Sequence, residues 1–446
     1  MHIPLGSPAT PAPSRRRFLG LAGAAAGVGL LTACGGSSGP TVNTGQATGK
    51  AYTGAYTGPK VSLSFWNGFT GGDGPYMKKL VEQFNAEHHN IKVTMTTMQW
   101  ADYYKKVPTA VMAGQGPNVG IAHQHWLATL AARRAILPLD DVARELKLAE
   151  SDFIPAIWQA GLYQDKRYGI PLDVHCLASY WNTDLVKKAG IQDPSSGFES
   201  ALAKLAAGPA RQPFWMPNQW PAHMIFLSLL WQNGGTPFTS DASKAAFDSD
   251  AGVTALTWMI DQMKKGYSPK NVALDTQYNA FKTSRNAITW DGIWQINDLR
   301  TTAPSLHWSV GFLPTIGHTP AVWADGHNFV LMNQKSDDNK LAASKTFIDW
   351  IGQHSAEWAG AGMIPARNSA RSGADFKARP QAAVATKLGA FRFLPAVPGI
   401  DDVGNQSYVQ AVAKAVLGQA SPKKALADAA RTADQLLASN RQKFGS

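Results

Sequence analysis

Apolar and polar positions alternate at Val61, Leu63 and Phe65, the two-residue period of a half-buried strand, and predict a strand over 61–66. The period then lengthens. Met77, Leu80, Val81 and Phe84 stand at i, i+3, i+4 and i+7, one face of a helix, with Asp73 placed to cap it and Pro75 in its first turn. Ile91, Val93 and Met95 return to alternation and predict a second strand. A helix near 101–113 follows, made irregular by Pro108. Gly116-Pro117 marks a turn, and Val119 to Ala122 form a short apolar strand. Strand and helix in alternation predict an α/β fold with a parallel, doubly wound sheet. Such sheets hold ligands beyond the C-terminal ends of their strands. A second α/β region runs through 176–312, with helices near 222–232 and 250–265 and a strand at 286–290. The last third predicts a strand at 328–332, a helix near 338–361 and a long C-terminal helix near 421–441. No repeat of fixed period is visible.

The N-terminus follows a different pattern. Arg15-Arg16-Arg17 precede an apolar run, residues 18–33, that is rich in Ala and Gly and too short for the ~20 residues of a spanning helix. This reads as a twin-arginine export signal rather than a membrane anchor. Leu31-Thr32-Ala33-Cys34 resembles the bacterial lipoprotein signal. The resemblance implies removal of residues 1–33 and diacylglycerol on Cys34, and two acyl chains anchor stably. Residues 34–59, rich in Gly, Ser and Thr with Lys50 as the one charge, then form a flexible tether.

Charge and cysteine content narrow the classes. Losing residues 1–33 removes three arginines and no acid, so the net charge falls from +11 to +8. The basic residues are dispersed, which argues against a nucleic-acid partner. Cys176 has no disulfide partner once Cys34 is acylated, so the core must hold the fold. Residues 60–446 exceed the ~250–300 at which one core usually splits, and predict two lobes. Gly45 and Gly49-Lys50 lack the spacing, the following Ser/Thr and the preceding strand of a phosphate loop.

A series of short segments carries a family resemblance. They are Phe65-Trp66-Asn67-Gly68, Asn90-Ile91-Lys92-Val93, Ala113-Gly114-Gln115-Gly116-Pro117-Asn118-Val119, Leu137-Pro138-Leu139-Asp140, Tyr168-Gly169-Ile170-Pro171-Leu172-Asp173 and Tyr180-Trp181-Asn182-Thr183-Asp184-Leu185. Trp290-Asp291-Gly292-Ile293-Trp294, Gly311-Phe312-Leu313-Pro314 and Ile364-Pro365-Ala366-Arg367 continue the series. In this order the chain resembles the family 1 extracellular solute-binding proteins, the class that includes maltose-binding protein. The resemblance implies a periplasmic-binding-protein type II fold, two α/β lobes with a hinged ligand cleft. It places crossings near Pro171–His175, Phe312–Thr315 and 370–385. Lobe one is then 60–172 plus 316–375, and lobe two 176–312 plus 376–446. It also implies a monomeric receptor that hands a neutral mono- or oligosaccharide to ABC-transporter permease subunits served by a separate ATPase chain.

Sugars present apolar C–H faces to aromatic rings and hydroxyls to Asp, Asn, Arg and His. The chain has 15 Trp, several beside polar residues at predicted strand ends. Candidates are Trp66, Asn67 and Asp73 after the first strand, and His123, His125 and Trp126 after the third. Asp173 and His175 follow in the first crossing, then Asp291, Gly292 and Trp294, then Trp323, Asp325, Gly326 and His327. The resemblance makes Asp173 an acidic sugar contact, puts a stacking aromatic near Trp294 and directs the loop of Arg367 toward the cleft. Asp73 serves equally as a cap or a contact. Trp258, Trp350 and Trp358 lie in helical apolar surroundings and read as core; Trp215, Trp220 and Trp231 are left open.

Three functions compete. A binding receptor needs no turnover, cofactor or metal. An exported glycoside-acting enzyme needs two carboxylates about 5–10 Å apart, which Asp173, Asp291 and Asp325 could supply. A metal or peptide receptor of the same fold could use His123, His125, His175 and His327. No local metal motif such as HExxH is present, so the histidines are assigned to hydroxyls and the chain is read as a receptor.

Overall fold

Strand β1 (Val61–Asn67) buries Leu63 and Phe65 on one face, as the alternation predicts. Helix α1 (Gly74–Glu87) buries Met77, Leu80, Val81 and Phe84 and carries Pro75 in its first turn. Asp73 precedes α1, but its side chain makes no capping bond. Oδ1 instead accepts the Gly71 N–H at 3.1 Å within its own loop. β2 (Ile91–Thr97), α2 (Trp100–Met112) and β3 (Val119–His123) follow, and Pro108 is accommodated inside α2. α3 (Gln124–Ala132) starts directly after β3.

The computed structural model describes residues 54–445, all within the compact unit Val42–Ser446. The export signal, Cys34 and most of the tether lie outside the described residues. Among the described residues no helix is long and apolar enough to cross a membrane.

Apart from the pair Leu162–Tyr163 and Lys166–Arg167, the strands sort onto two sheets, built and flanked by these principal elements. In chain order they are β4 (Ile170–Pro171), β5 (Asp173–Asn182), α4 (Ala222–Gln232), α5 (Asp250–Lys264), β6 (Ile288–Gly292), α6 (Gln295–Thr302), β7 (Trp308–Gly311), β8 (Val322–Asp325) and β9 (His327–Leu331). Then come α7 (Asp338–Gln353), α8 (Ser355–Trp358), β10 (Ile364–Pro365), β11 (Phe391–Arg392), α9 (Ile400–Gln406), α10 (Tyr408–Val416) and α11 (Pro422–Phe444). The first sheet has the order β2-β1-β3-β9-β4. β1 is parallel to β2 and β3, while β9 runs antiparallel to β3 and β4. The second sheet is built on the ten-residue strand β5, which pairs antiparallel with β10, β8, β6 and β7 along its length.

The chain passes from the first sheet to the second between Pro171 and Asp173, and back between Asp325 and His327. β8 still pairs in the second sheet, beyond the crossing expected near Phe312–Thr315. Gly326 makes the return possible, because a Cβ there would lie 2.8 Å from the Asp173 carbonyl oxygen. The long helix expected near 338–361 is interrupted at His354, whose Nδ1 bonds the Trp350 carbonyl at 2.7 Å. That break turns α8 and carries Trp358 inward. Cys176 is a free, buried thiol in β5.

Candidate functional site

Strand register assembles the site. His123 ends β3 and is paired with His327, which begins β9. His175 in β5 is paired with Asp325, which ends β8. Asp173 begins β5, two residues before His175 and therefore on the same face. Three imidazoles from three strands thus meet where the chain changes sheets. Ring centroids are 4.4 Å apart for His175 and His327, 4.8 Å for His123 and His327, and 5.6 Å for His123 and His175. One ring nitrogen from each lies within 4.8 Å of the others.

Asp173 is fully buried beneath them. Its carboxylate accepts from His175 Nδ1 at 3.3 Å, from His327 Nδ1 at 3.0 Å, from the His327 N–H at 3.2 Å and from Trp358 Nε1 at 2.7 Å. Burial by itself would raise this carboxyl; the two imidazoles and their hydrogen bonds reverse that and hold it below the ordinary carboxylate range. An ionised Asp173 only accepts. Both Nδ1 atoms therefore carry a proton and donate to it. Burial first, and then the neighbouring His327, lower the pKa of His175 and of His123 and keep both rings neutral. His123 Nδ1 lies 2.8 Å from the Tyr104 hydroxyl, which also accepts the His123 N–H.

A second carboxylate sits alongside. Asp325 accepts the Gly326 N–H at 2.8 Å through Oδ1 and bonds His125 Nδ1 through Oδ2. His125 Nε2 reaches Asp401 Oδ1 at 3.1 Å. Burial pulls the His125 pKa down, but Asp325 and Asp401 outweigh it and push it up to about 10. His125 is a cation at neutral pH, and against the upward pull of burial it holds Asp325 below the usual carboxylate range. The cluster carries more carboxylate than cation, an environment that suits neutral or positively charged ligands over anions.

Aromatic rings wall the cluster from both sheets. Trp100 in α2 stacks on His327 at 5.6 Å and lies 4.2 Å from His123. Tyr104, one turn on, stacks on Trp126 at 4.0 Å. Trp294 and Trp323 stand 5.7 and 6.1 Å from His175. Trp220, 41% exposed, lies 6.1 Å from Trp294 and extends the wall outward.

Not every candidate joins this group. Asn67 is buried and accepts from Phe69 N and Thr97 Oγ1, with Phe69 packed 4.9 Å from the His327 ring. Asp73 is buried in the same loop. Burial, reinforced by the Asp173 charge, raises its pKa to about 7. Trp66 sits under Lys106, with Nζ 4.9 Å from the ring centre. Asp291 turns to the Gly292 N–H, Gln277 and Gln295, away from the histidines. Arg367 is drawn to Asp152 at 3.6 Å and to the face of Phe153, so its guanidinium does not reach the cluster.

Four contributors were not among the sequence candidates: Trp100, Tyr104, Trp358 and Asp401. Trp100 and Tyr104 share a helix face at i, i+4 spacing, a visible signal that reads equally well as core. Trp358 is fully buried, as expected of core, yet its indole N–H anchors Asp173. Trp215 and Trp231, left open by the sequence, are buried.

An open cavity of about 630 Å³ lies to one side, between Thr70–Pro75 of the first-sheet region and Tyr278, Gln295 and Asp298 near α6. The loop closes on α6 through Asn297 Nδ2, which donates to the Gly72 carbonyl at 2.6 Å.

A family model described as bacterial extracellular solute-binding protein matches residues 79–384. The sn-glycerol-3-phosphate-binding periplasmic protein UgpB of Escherichia coli O1:K1 is 24% identical over 413 residues, covering 84% of this chain and 92% of that protein. Among solved structures, the GacH receptor of Streptomyces glaucescens GLA.O, studied unliganded and with acarbose, aligns with a TM-score of 0.75 at 20% identity, over 87% of this chain and all of that one. An ABC-transporter solute-binding protein of Thermotoga lettingae TMO bound with α-D-tagatose aligns with a TM-score of 0.73 at 23% identity, over 84% of this chain and 99% of that one.

Proposed function

This chain belongs to the bacterial extracellular solute-binding proteins, with the two-lobed type II fold of that class, and we propose that it captures a neutral saccharide between its lobes for delivery to the permease of an ABC importer. The observation that carries this reading is the junction itself. Trp100 and His327 from the first-sheet side meet Trp294, Trp323 and the buried carboxylates Asp173 and Asp325 from the second-sheet side at the strand ends. Rings stack on the C–H faces of a sugar, and carboxylates and imidazoles bond its hydroxyls. Because binding groups come from both sheets, a ligand held there favours the closed arrangement, and closure is what a permease can read.

The charge of the cluster favours a neutral sugar over a glycerophosphate such as the E. coli relative binds. Arg367, the guanidinium expected near the cleft, is engaged with Asp152, and Asp173 and Asp325 are held ionised beside His125. With more carboxylate than cation in the cluster, a phosphate would meet net repulsion there. Lipid anchoring through Cys34, export through the arginine signal, a separate ATPase and a monomeric state complete the proposal. In it the chain binds without turning its ligand over.

The test is a thermal-shift and calorimetric screen of the full chain against mono- and oligosaccharides and glycerol phosphates. A saturating saccharide at 100 times its Kd stabilises the fold by about 2.7 kcal/mol and is recovered unchanged. A shift with glycerol phosphate alone would overturn the neutral-ligand reading, and a hydrolysed sugar would overturn the receptor reading.

A further inference from the structure

The second shell of the histidine cluster is arranged as metal sites arrange theirs. A metal-bound imidazole commonly gives its other ring N–H to a carboxylate, carbonyl or hydroxyl, which fixes the tautomer and aims the free nitrogen. Here all three rings have that partner in place. Asp173 takes Nδ1 of His175 and of His327, and Tyr104 meets Nδ1 of His123. Among the described residues no Nε2 of the three has a hydrogen-bond partner. The rings come from three strands in two sheets, so no short sequence motif could announce them.

We propose that His123, His175 and His327 bind a divalent transition-metal ion of the zinc class through Nε2, with Asp173 and Tyr104 as positioning residues. Three features support the assignment. The ring nitrogens already lie within 4.8 Å of one another. A tetrahedral zinc with Zn–N of 2.0–2.1 Å needs its ligand nitrogens about 3.3 Å apart, so ligation requires the rings to draw together. Two buried carboxylates, Asp173 and Asp325, stand beside the rings, the kind of neighbour that a buried dication requires. Three imidazoles leave a fourth position for water or a ligand group, the ligand count of an open site. The proposal does not depend on the ligand being a sugar, because the metal alone is the probe.

The full chain is stripped with EDTA, dialysed and titrated with zinc chloride by calorimetry and with cobalt(II) by visible absorption. The expected result is one ion per chain, a four-coordinate cobalt spectrum, and zinc-edge X-ray absorption that shows imidazole neighbours at about 2.0–2.1 Å without sulfur. His123→Gln, the least buried of the three ligands, lowers affinity by at least 100-fold. Tyr104→Phe lowers it about tenfold, in the range that second-shell losses cost. The X-ray measurement needs only the wild-type chain, so it decides the question even where a variant fails to fold. No saturable binding, sulfur in the first shell, or full affinity retained in a folded His123→Gln chain would each overturn the site. Failure of every saccharide to bind would leave this result untouched.

Discussion

Replacing Asp291 by Asn should remove a pH dependence that this carboxyl gives the wild-type fold. Asp291 is fully buried at the end of β6. It accepts the Gly292 N–H at 2.7 Å and the amides of Gln295 and Gln277 at 3.3 Å, with no ion-pair partner among the described residues. Burial dominates these bonds and raises its pKa from 3.8 to about 7. The folded state therefore keeps a proton that the unfolded state has lost between those two values. In that window stability falls as pH rises, by about 1.4 kcal/mol per pH unit and on the order of 4 kcal/mol in all. Asn cannot ionise. Its oxygen keeps the Gly292 and Gln295 bonds, and its amide can donate to Gln277 Oε1, a buried atom without a partner. Urea unfolding of both proteins at pH 5, 6, 7 and 8 should show the variant gaining on the wild type by several kcal/mol across the series. Parallel curves, with a constant difference at every pH, would refute the reasoning.

Trp358→Phe and Trp290→Phe make a matched pair, since both rings are essentially buried, but only the Trp358 N–H has a partner while Trp290 Nε1 has none. The Trp358 variant should unfold with about 1.5–3 kcal/mol more loss, the worth of a hydrogen bond to an ionised group; equal losses would mean that Asp173 is not charged. Asp401→Asn weakens the bond from α9 to His125 and should speed amide exchange over 399–405 about fivefold, a loss of about 1 kcal/mol. Unchanged exchange there would show that the Thr129–Gly399 bond at 2.8 Å holds α9 alone.

Local pattern made the first five elements legible. The alternation at Val61, Leu63 and Phe65 and the helical face at Met77, Leu80, Val81 and Phe84 appear at the places expected. Helix ends were harder. Asp73 had the right identity and position for a cap, but its carboxylate is turned into the loop by the Gly71 N–H. Nothing in the chain near 338–361 announces the break at His354, where the ring Nδ1 bonds a carbonyl one turn back. The candidate site was legible as a set of strand ends. Arg367 departs from its expected place because a long, flexible guanidinium pairs with whichever carboxylate packing brings near, here Asp152.

The sequence alone determined the α/β alternation and the residue types at the strand termini. These are local properties, set by backbone preference and by which side chains must leave water. The tertiary structure decided which of those termini meet, and in what protonation state. Asp173 and Trp358 are 185 residues apart in the chain, His125 and Asp325 are 200 apart, and His125 and Asp401 are 276 apart. Strand register brings such pairs together, and a slip of one residue would turn each side chain to the opposite face. Burial then sets the charges: in water each histidine would titrate near neutrality, whereas in the junction one carboxylate fixes two tautomers and another keeps a third imidazole charged.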